Sequence, residues 1–308
     1  MEEYADRYNY YLPIQFSEPE NEEYREYLIS AYLTNLSNEK YQFSFIAGHL
    51  MYMTFIYKII WGLKRSGLNN INNYLSQHSR SINLQTLNNM FDFSVISEKD
   101  TFAILRCLNF HQNDISMFST PVQSRDHCVH ASGKIHYNCE EIEGFLNDEL
   151  RYMERVQKKT QPMKKEMFRK FLEDNWDIEN RRESLVKEAF DTWLKEEHLS
   201  FADLAELIKV NFDDLFEDDD ADETILKKIA FLVVIYESCM ILGEDEKQFN
   251  ETSSRFTDEF EQHDEGKIHQ ALFDELVPIL IKQTNAYKEN IRSSNDKIKD
   301  ITTKIANG

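Results

Sequence analysis

Glycine and proline are scarce, eight and five in 308 residues. An all-β sandwich or barrel of this length needs far more turn punctuation, whereas long helices joined by polar loops do not. Cysteine is scarcer still. Cys107, Cys128, Cys139 and Cys239 are widely spread, with no Cys-x-x-Cys pair, which excludes a disulfide-stapled scaffold. The acidic start Met1-Glu2-Glu3-Tyr4 shows no signal peptide, so reduced thiols in a cytoplasm are expected. Positive charge is in short supply too: 35 Lys and Arg face 55 Asp and Glu, a formal charge of −20. That excludes a broad basic surface coating nucleic acid, but not a small basic pocket for one RNA strand. No repeat of fixed period supports a solenoid.

What is present points to helices. At 41% hydrophobic and 13% aromatic the chain can bury a real core, and global disorder is excluded. Strand-like alternation is rare, so the fold class is all-α, with length enough for two domains. Residues 1–21, polar and aromatic with Pro13 and Pro19, read as an N-terminal arm. Helical spacing follows over Glu22–Leu36 and again from Glu39 to Arg65, where Ser66-Gly67 is a stop. Phe43–Leu63 is about as long as a bilayer span. Its strongly polar side chains are only His49 and Lys58. It reads instead as the central helix of a bundle, with His49 a hydrogen-bonded core residue and no membrane partner.

Residues 68–97 are Asn- and Ser-rich and suggest one or two short helices. Ser97 with Asp100 caps a helix to about Phe110, Asn138 with Glu141 caps the next, and Lys158–Pro162 reads as a linker. Residues 22–160 are then one helical bundle and 161–308 a second helical domain. The second is acidic: from residue 196 onward 27 acids stand against 12 bases. Its peak, Phe212–Glu223, lacks the Gly and spacing of a calcium loop and reads as a solvated inter-helix loop.

The chemistry-bearing stretch is Arg125-Asp126-His127-Cys128-Val129-His130. Arg-x4-His alone is a weak pattern, and Arg106 to His111 repeats it on what reads as an ordinary amphipathic helix. Context separates the two: Pro121 and Ser124 open a short polar helix, and Ala131-Ser132-Gly133 offers its exit. On a regular helix, residues five apart point about 140° away from each other, so Arg125 and His130 would not share a face. Asp126 and His130, four apart, would, and Asp126 is expected to orient the His130 ring. Half a site per chain favours a homodimer.

The segment Arg125–His130, followed by Ala-Ser-Gly-Lys-Ile, resembles the signature of HEPN-domain proteins, in which a polar residue follows an Arg and a His closes the motif. The resemblance covers about residues 22–158. It implies a HEPN-like helical bundle that pairs with a second copy and cuts RNA without metal or other cofactor. The implied setting is a toxin or phage-defence system. The residue types suit that reaction. An imidazole near neutrality serves as base or acid, and a guanidinium fork matches phosphate oxygens. His130 is assigned proton transfer, Arg125 phosphate stabilisation, Asp126 orientation and His127 an accessory part.

Two other readings stand beside this one. Cys128, His130, His136 and Cys139, with His127 close by, are potential zinc ligands, although their spacing matches no familiar finger. In the other, the chain is a catalytically silent helical adaptor of a larger assembly. On the HEPN-like and the adaptor reading alike, the acidic half is the expected docking surface for a protein partner or inhibitor.

Overall fold

The computed structural model describes residues 1–16, 19–67, 87–130, 137–175 and 183–210, with a few further positions between 215 and 242. About 82% of the described residues are helical and none forms a strand, so the fold is all-α. The helices are α1 (Glu3–Tyr11), α2 (Pro19–Ser37), α3 (Tyr41–Arg65), α4 (Glu98–Ile104), α5 (Gln112–Phe118), α6 (Thr120–Val129), α7 (Cys139–Asn175), α8 (Glu183–Glu196) and α9 (Phe201–Leu207). Two short 3₁₀ turns, Met90–Val95 and Leu105–Leu108, flank α4. The chain divides into one compact unit of residues 1–167 and 193–203 and a second of residues 168–192 and 204–308.

In the first unit α3 is the centre. It is long and apolar enough to cross a membrane, yet 83% of its apolar window is buried. Met51, Tyr52, Phe55, Ile56, Ile59, Ile60 and Leu63 are all buried. Burying a helix on every side requires neighbours all round, and α1, α2, α4 and α6 supply them. The helix ends as its sequence dictates, with Gly67 at φ +68°, a left-handed position that glycine takes without steric cost.

Gly48 lets α7 approach closely. A Cβ there would lie 2.7 Å from Leu146 Cδ2, well inside contact distance. Against α6 the register is antiparallel. Gln42 Nε2 donates to Cys128 O at 2.7 Å near its C-terminal end, and Tyr52 OH donates at 3.1 Å to Phe118 O, at the end of α5 just before α6 begins.

Residues expected to form an arm fold instead as α1, with Tyr4, Ala5, Tyr8, Leu12 and Phe16 buried. The extended stretch after α1 is fastened too. Ile14 N donates to Leu199 O at 2.8 Å, and Pro13 bridges Ser200. Lys158–Pro162, expected as a linker, lies inside α7, which runs unbroken from Cys139 to Asn175 with Pro162 in its interior. Thr160 is buried there and its hydroxyl donates to Gln157 O at 2.7 Å. Packing of this face outweighs the one backbone N–H that the proline removes.

A second polar centre sits at the lower end of α3. The Lys58 ammonium donates to Asp203 Oδ2 (2.8 Å), Ser200 Oγ (2.7 Å) and Tyr11 O (3.1 Å), one acceptor for each N–H. Asp203 also accepts from Gln157 Nε2 at 2.6 Å and lies against Lys164. It caps α9 as well, accepting from Ser200 N at 2.9 Å.

In the second unit the Phe168 and Phe231 rings lie 5.7 Å apart, and Leu172, Phe190, Leu204 and Val234 are buried. The second helical domain beyond residue 242, residues 68–86 with the short helices expected there, and most of the acidic run 212–223 fall outside the described residues.

Candidate functional site

The motif occupies α6 and the residue after it. Pro121 sits in the first turn, where a missing N–H costs nothing. The helix ends at Val129, one residue before the motif's histidine. His130 is the C-cap, with extended backbone at φ −78° and ψ 135°. Its side chain therefore leaves the helix and is exposed. The link between Asp126 and His130 is a backbone bond, His130 N to Asp126 O at 3.1 Å. The Asp126 carboxylate turns to Arg125 instead, Oδ1 lying 3.1 Å from Nη1. The expected orientation of His130 by Asp126 needed both residues on the helix, and only the first of the pair is helical. His127 Nδ1 meets the Tyr137 hydroxyl at 3.0 Å.

Arg125 is drawn to the first turn of α4. Its Nη2 donates to Glu98 Oε2 at 2.5 Å. The same oxygen lies 3.3 Å from His49 Nε2. On the other side of the ring, His49 Nδ1 lies 2.8 Å from Glu149 Oε1 on α7, and Glu149 Oε2 accepts from Tyr8 OH of α1 at 2.5 Å. Five helices thus contribute one residue each to an unbroken chain, Tyr8–Glu149–His49–Glu98–Arg125. Its inner members Tyr8, Glu149 and His49 are buried at 0% exposure, whereas the Arg125 side chain is 25% exposed. Arg125 keeps one orphan: its Nε–H is buried with no acceptor.

The electrostatics follow from this wiring. Burial alone would lower the His49 pKa, but bonds to Glu149 and Glu98 override it and push the ring up to about 9. The ring is charged at neutrality and donates on both sides. Burial would raise Glu98, yet His49 and then Arg125 hold it below the usual carboxylate range. Burial, and after it Glu149, keeps Tyr8 well above the ordinary phenol.

The look-alike pair is differently placed. Arg106 lies in the 3₁₀ turn and pairs with Gln112, while His111 heads α5. Asn109, in the left-handed region at φ 59°, separates them, so they do not share the amphipathic helix that the sequence suggests. Of the zinc set, Cys128 is buried, its thiol pushed up by burial to about 11, while His130 is exposed. Cys139 opens α7, and His136 lies outside the described residues. Among the described residues no group of three or more His, Cys, Asp or Glu is arranged to hold a metal ion.

Comparison with known families, curated proteins and solved structures returns no match.

Sequence reasoning placed His49 in the core but missed Glu98 and Glu149. A signal for Glu149 exists. It falls on the buried stripe Ile142, Leu146, Met153, Val156 of α7, where an acid demands a partner. Glu98 carried no such mark.

Proposed function

We propose that the end of α6 is half of a phosphate-handling site in a metal-independent endoribonuclease of HEPN type, completed by a second copy of the chain. The observation that carries this reading is Arg125. Two carboxylates grip its guanidinium, yet a quarter of the side chain stays exposed, and the same helix releases His130 into solvent. A partly exposed guanidinium suits a phosphate oxygen. An exposed imidazole at the end of the same helix suits proton transfer.

His130 takes the proton from the RNA 2′-hydroxyl as its oxygen bonds to phosphorus. The bond from phosphorus to the 5′-oxygen then breaks, and that oxygen receives a proton from the opposite half-site. The products are a 2′,3′-cyclic phosphate and a 5′-hydroxyl. Arg125 supports the charge on the phosphorane, with Asp126 holding Arg125 rather than His130. His127, fixed by Tyr137, stays an accessory group. The resemblance to HEPN proteins supplies the setting, a cytoplasmic toxin or phage-defence effector with cellular RNA as substrate. The acidic residues after 196 are the surface for a protein partner or inhibitor.

One observation favours a second reading, the catalytically silent adaptor. Glu98 and Asp126 already neutralise Arg125, in a chain of charge −20. The test is incubation with labelled RNA in EDTA followed by analysis of the ends. The enzyme reading expects cyclic-phosphate ends, with a loss of about 100-fold or more in Arg125→Ala and His130→Ala. Cleavage unchanged in both variants, or RNA left intact by the wild-type protein, refutes it in favour of the adaptor.

A further inference from the structure

The chain behind Arg125 goes beyond what an ordinary surface arginine requires. A single carboxylate would hold the guanidinium, and Asp126 is adjacent. Glu98 is instead held from behind by a buried imidazole, itself held by a buried carboxylate and a buried phenol. Both His49 and Arg125 address one atom, Glu98 Oε2. A proton donated by His49 to that oxygen draws negative charge away from it. The oxygen is then fixed in place but binds Arg125 less strongly than an unshared carboxylate would. Such an arrangement locates a cation without fully neutralising it.

We propose that Glu98 and His49 are positioning residues for Arg125. They set where its guanidinium lies and how much of its charge is left for an anionic ligand. This rests on the reading that Arg125 supports a phosphate. The groups facing His49 are Glu98 from α4, Glu149 from α7 with Tyr8 of α1 behind it, and Tyr52 on its own helix. Arg125 of α6 acts on it through Glu98. Charge therefore passes along the chain. When His49 loses its proton, Glu98 returns its full charge to Arg125, and phosphate must compete with a stronger rival.

The experiment uses the full-length protein, RNA cleavage at several pH values, and the ¹⁵Nε–¹H signal of Arg125, assigned by its loss in Arg125→Lys. Glu98→Gln keeps an oxygen for the guanidinium but removes the charge. It is expected to lower kcat about tenfold to hundredfold, the scale on which small misplacements of a reacting group act, with KM within about twofold. Glu98→Asp should recover part of that loss. The wild-type protein is expected to lose activity as pH rises through about 9, and His49→Gln should remove that fall. In both Glu98→Gln and His49→Gln the Arg125 signal should move or broaden.

Merely structural variants would lower the amount of folded protein while leaving the pH profile and the arginine signal of the folded fraction unchanged. Wild-type kcat, pH profile and arginine signal in Glu98→Gln and His49→Gln, alongside a dead Arg125→Ala, overturn the positioning roles and leave the site standing. Full activity in Arg125→Ala, or an inactive wild-type protein, overturns the site and the positioning roles with it.

Discussion

Raising the pH should unfasten the buried imidazole at the centre of the first unit, and the cost follows from its surroundings. His49 goes from an ordinary pKa of 6.5 to about 9 in the folded protein. At 1.36 kcal/mol for each pKa unit, the difference corresponds to about 3 kcal/mol. The sign is set by which state holds the proton more tightly. The folded state does, so this stabilisation is complete below about pH 6.5 and is lost as pH rises through about 9. Glutamine at position 49 offers a neutral amide and no titratable charge, so His49→Gln lacks the dependence altogether. Urea unfolding followed by tryptophan fluorescence reports on this unit through Trp61 and Trp193. Titrating groups that do not touch His49 are common to both proteins and cancel in the difference. The stability gap between wild type and His49→Gln should be widest at pH 6 and narrow by about 3 kcal/mol by pH 10. Parallel curves across that range would refute a charged His49 between two carboxylates.

Two further outcomes concern packing. Asp203→Ala leaves the Lys58 and Lys164 ammonium groups without their shared carboxylate, and breaking a buried pair in this way costs about 3–5 kcal/mol. Urea midpoints should show that loss, and Asp203→Asn a smaller one. Gly48→Ala gains about 1 kcal/mol of helix propensity but sets a methyl group 2.7 Å from Leu146 Cδ2, an overpacking that costs about 1–3 kcal/mol. It should be neutral to destabilising alone and show favourable coupling with Leu146→Ala in a double-mutant cycle.

The parts of this fold legible in the sequence are those decided within a turn or two of helix. The Ser66-Gly67 stop and the Ser97 and Asn138–Glu141 caps depend on residues at most three apart, and each is formed. Where the reading went astray, distant packing overrode a local signal. Pro162 resembles a break, but the buried flanks of α7 carry the helix through it. Residues 1–21 resemble a polar arm because tyrosines dominate, yet Tyr4 and Tyr8 at helical spacing bury their rings and send their hydroxyls to Glu143 and Glu149. At the candidate site the motif itself is local and was visible. Its support was not, since Glu98 and Arg125 are 27 positions apart and His49 and Glu149 are 100 apart. The expected pairing of Asp126 with His130 failed on a single detail, the end of α6 at Val129.

The fastening of residues 11–14 and Lys58 to residues 199–203 bears on how the chain is born. Lys58 and Asp203 are 145 positions apart. At about 5–20 residues per second, ribosomal synthesis leaves about 7–30 s between them. Throughout that interval α3 has emerged, apolar nearly all round, while the carboxylate destined for its lysine does not yet exist. The first unit therefore closes late, and one face of its central helix waits for residues 199–203 to emerge.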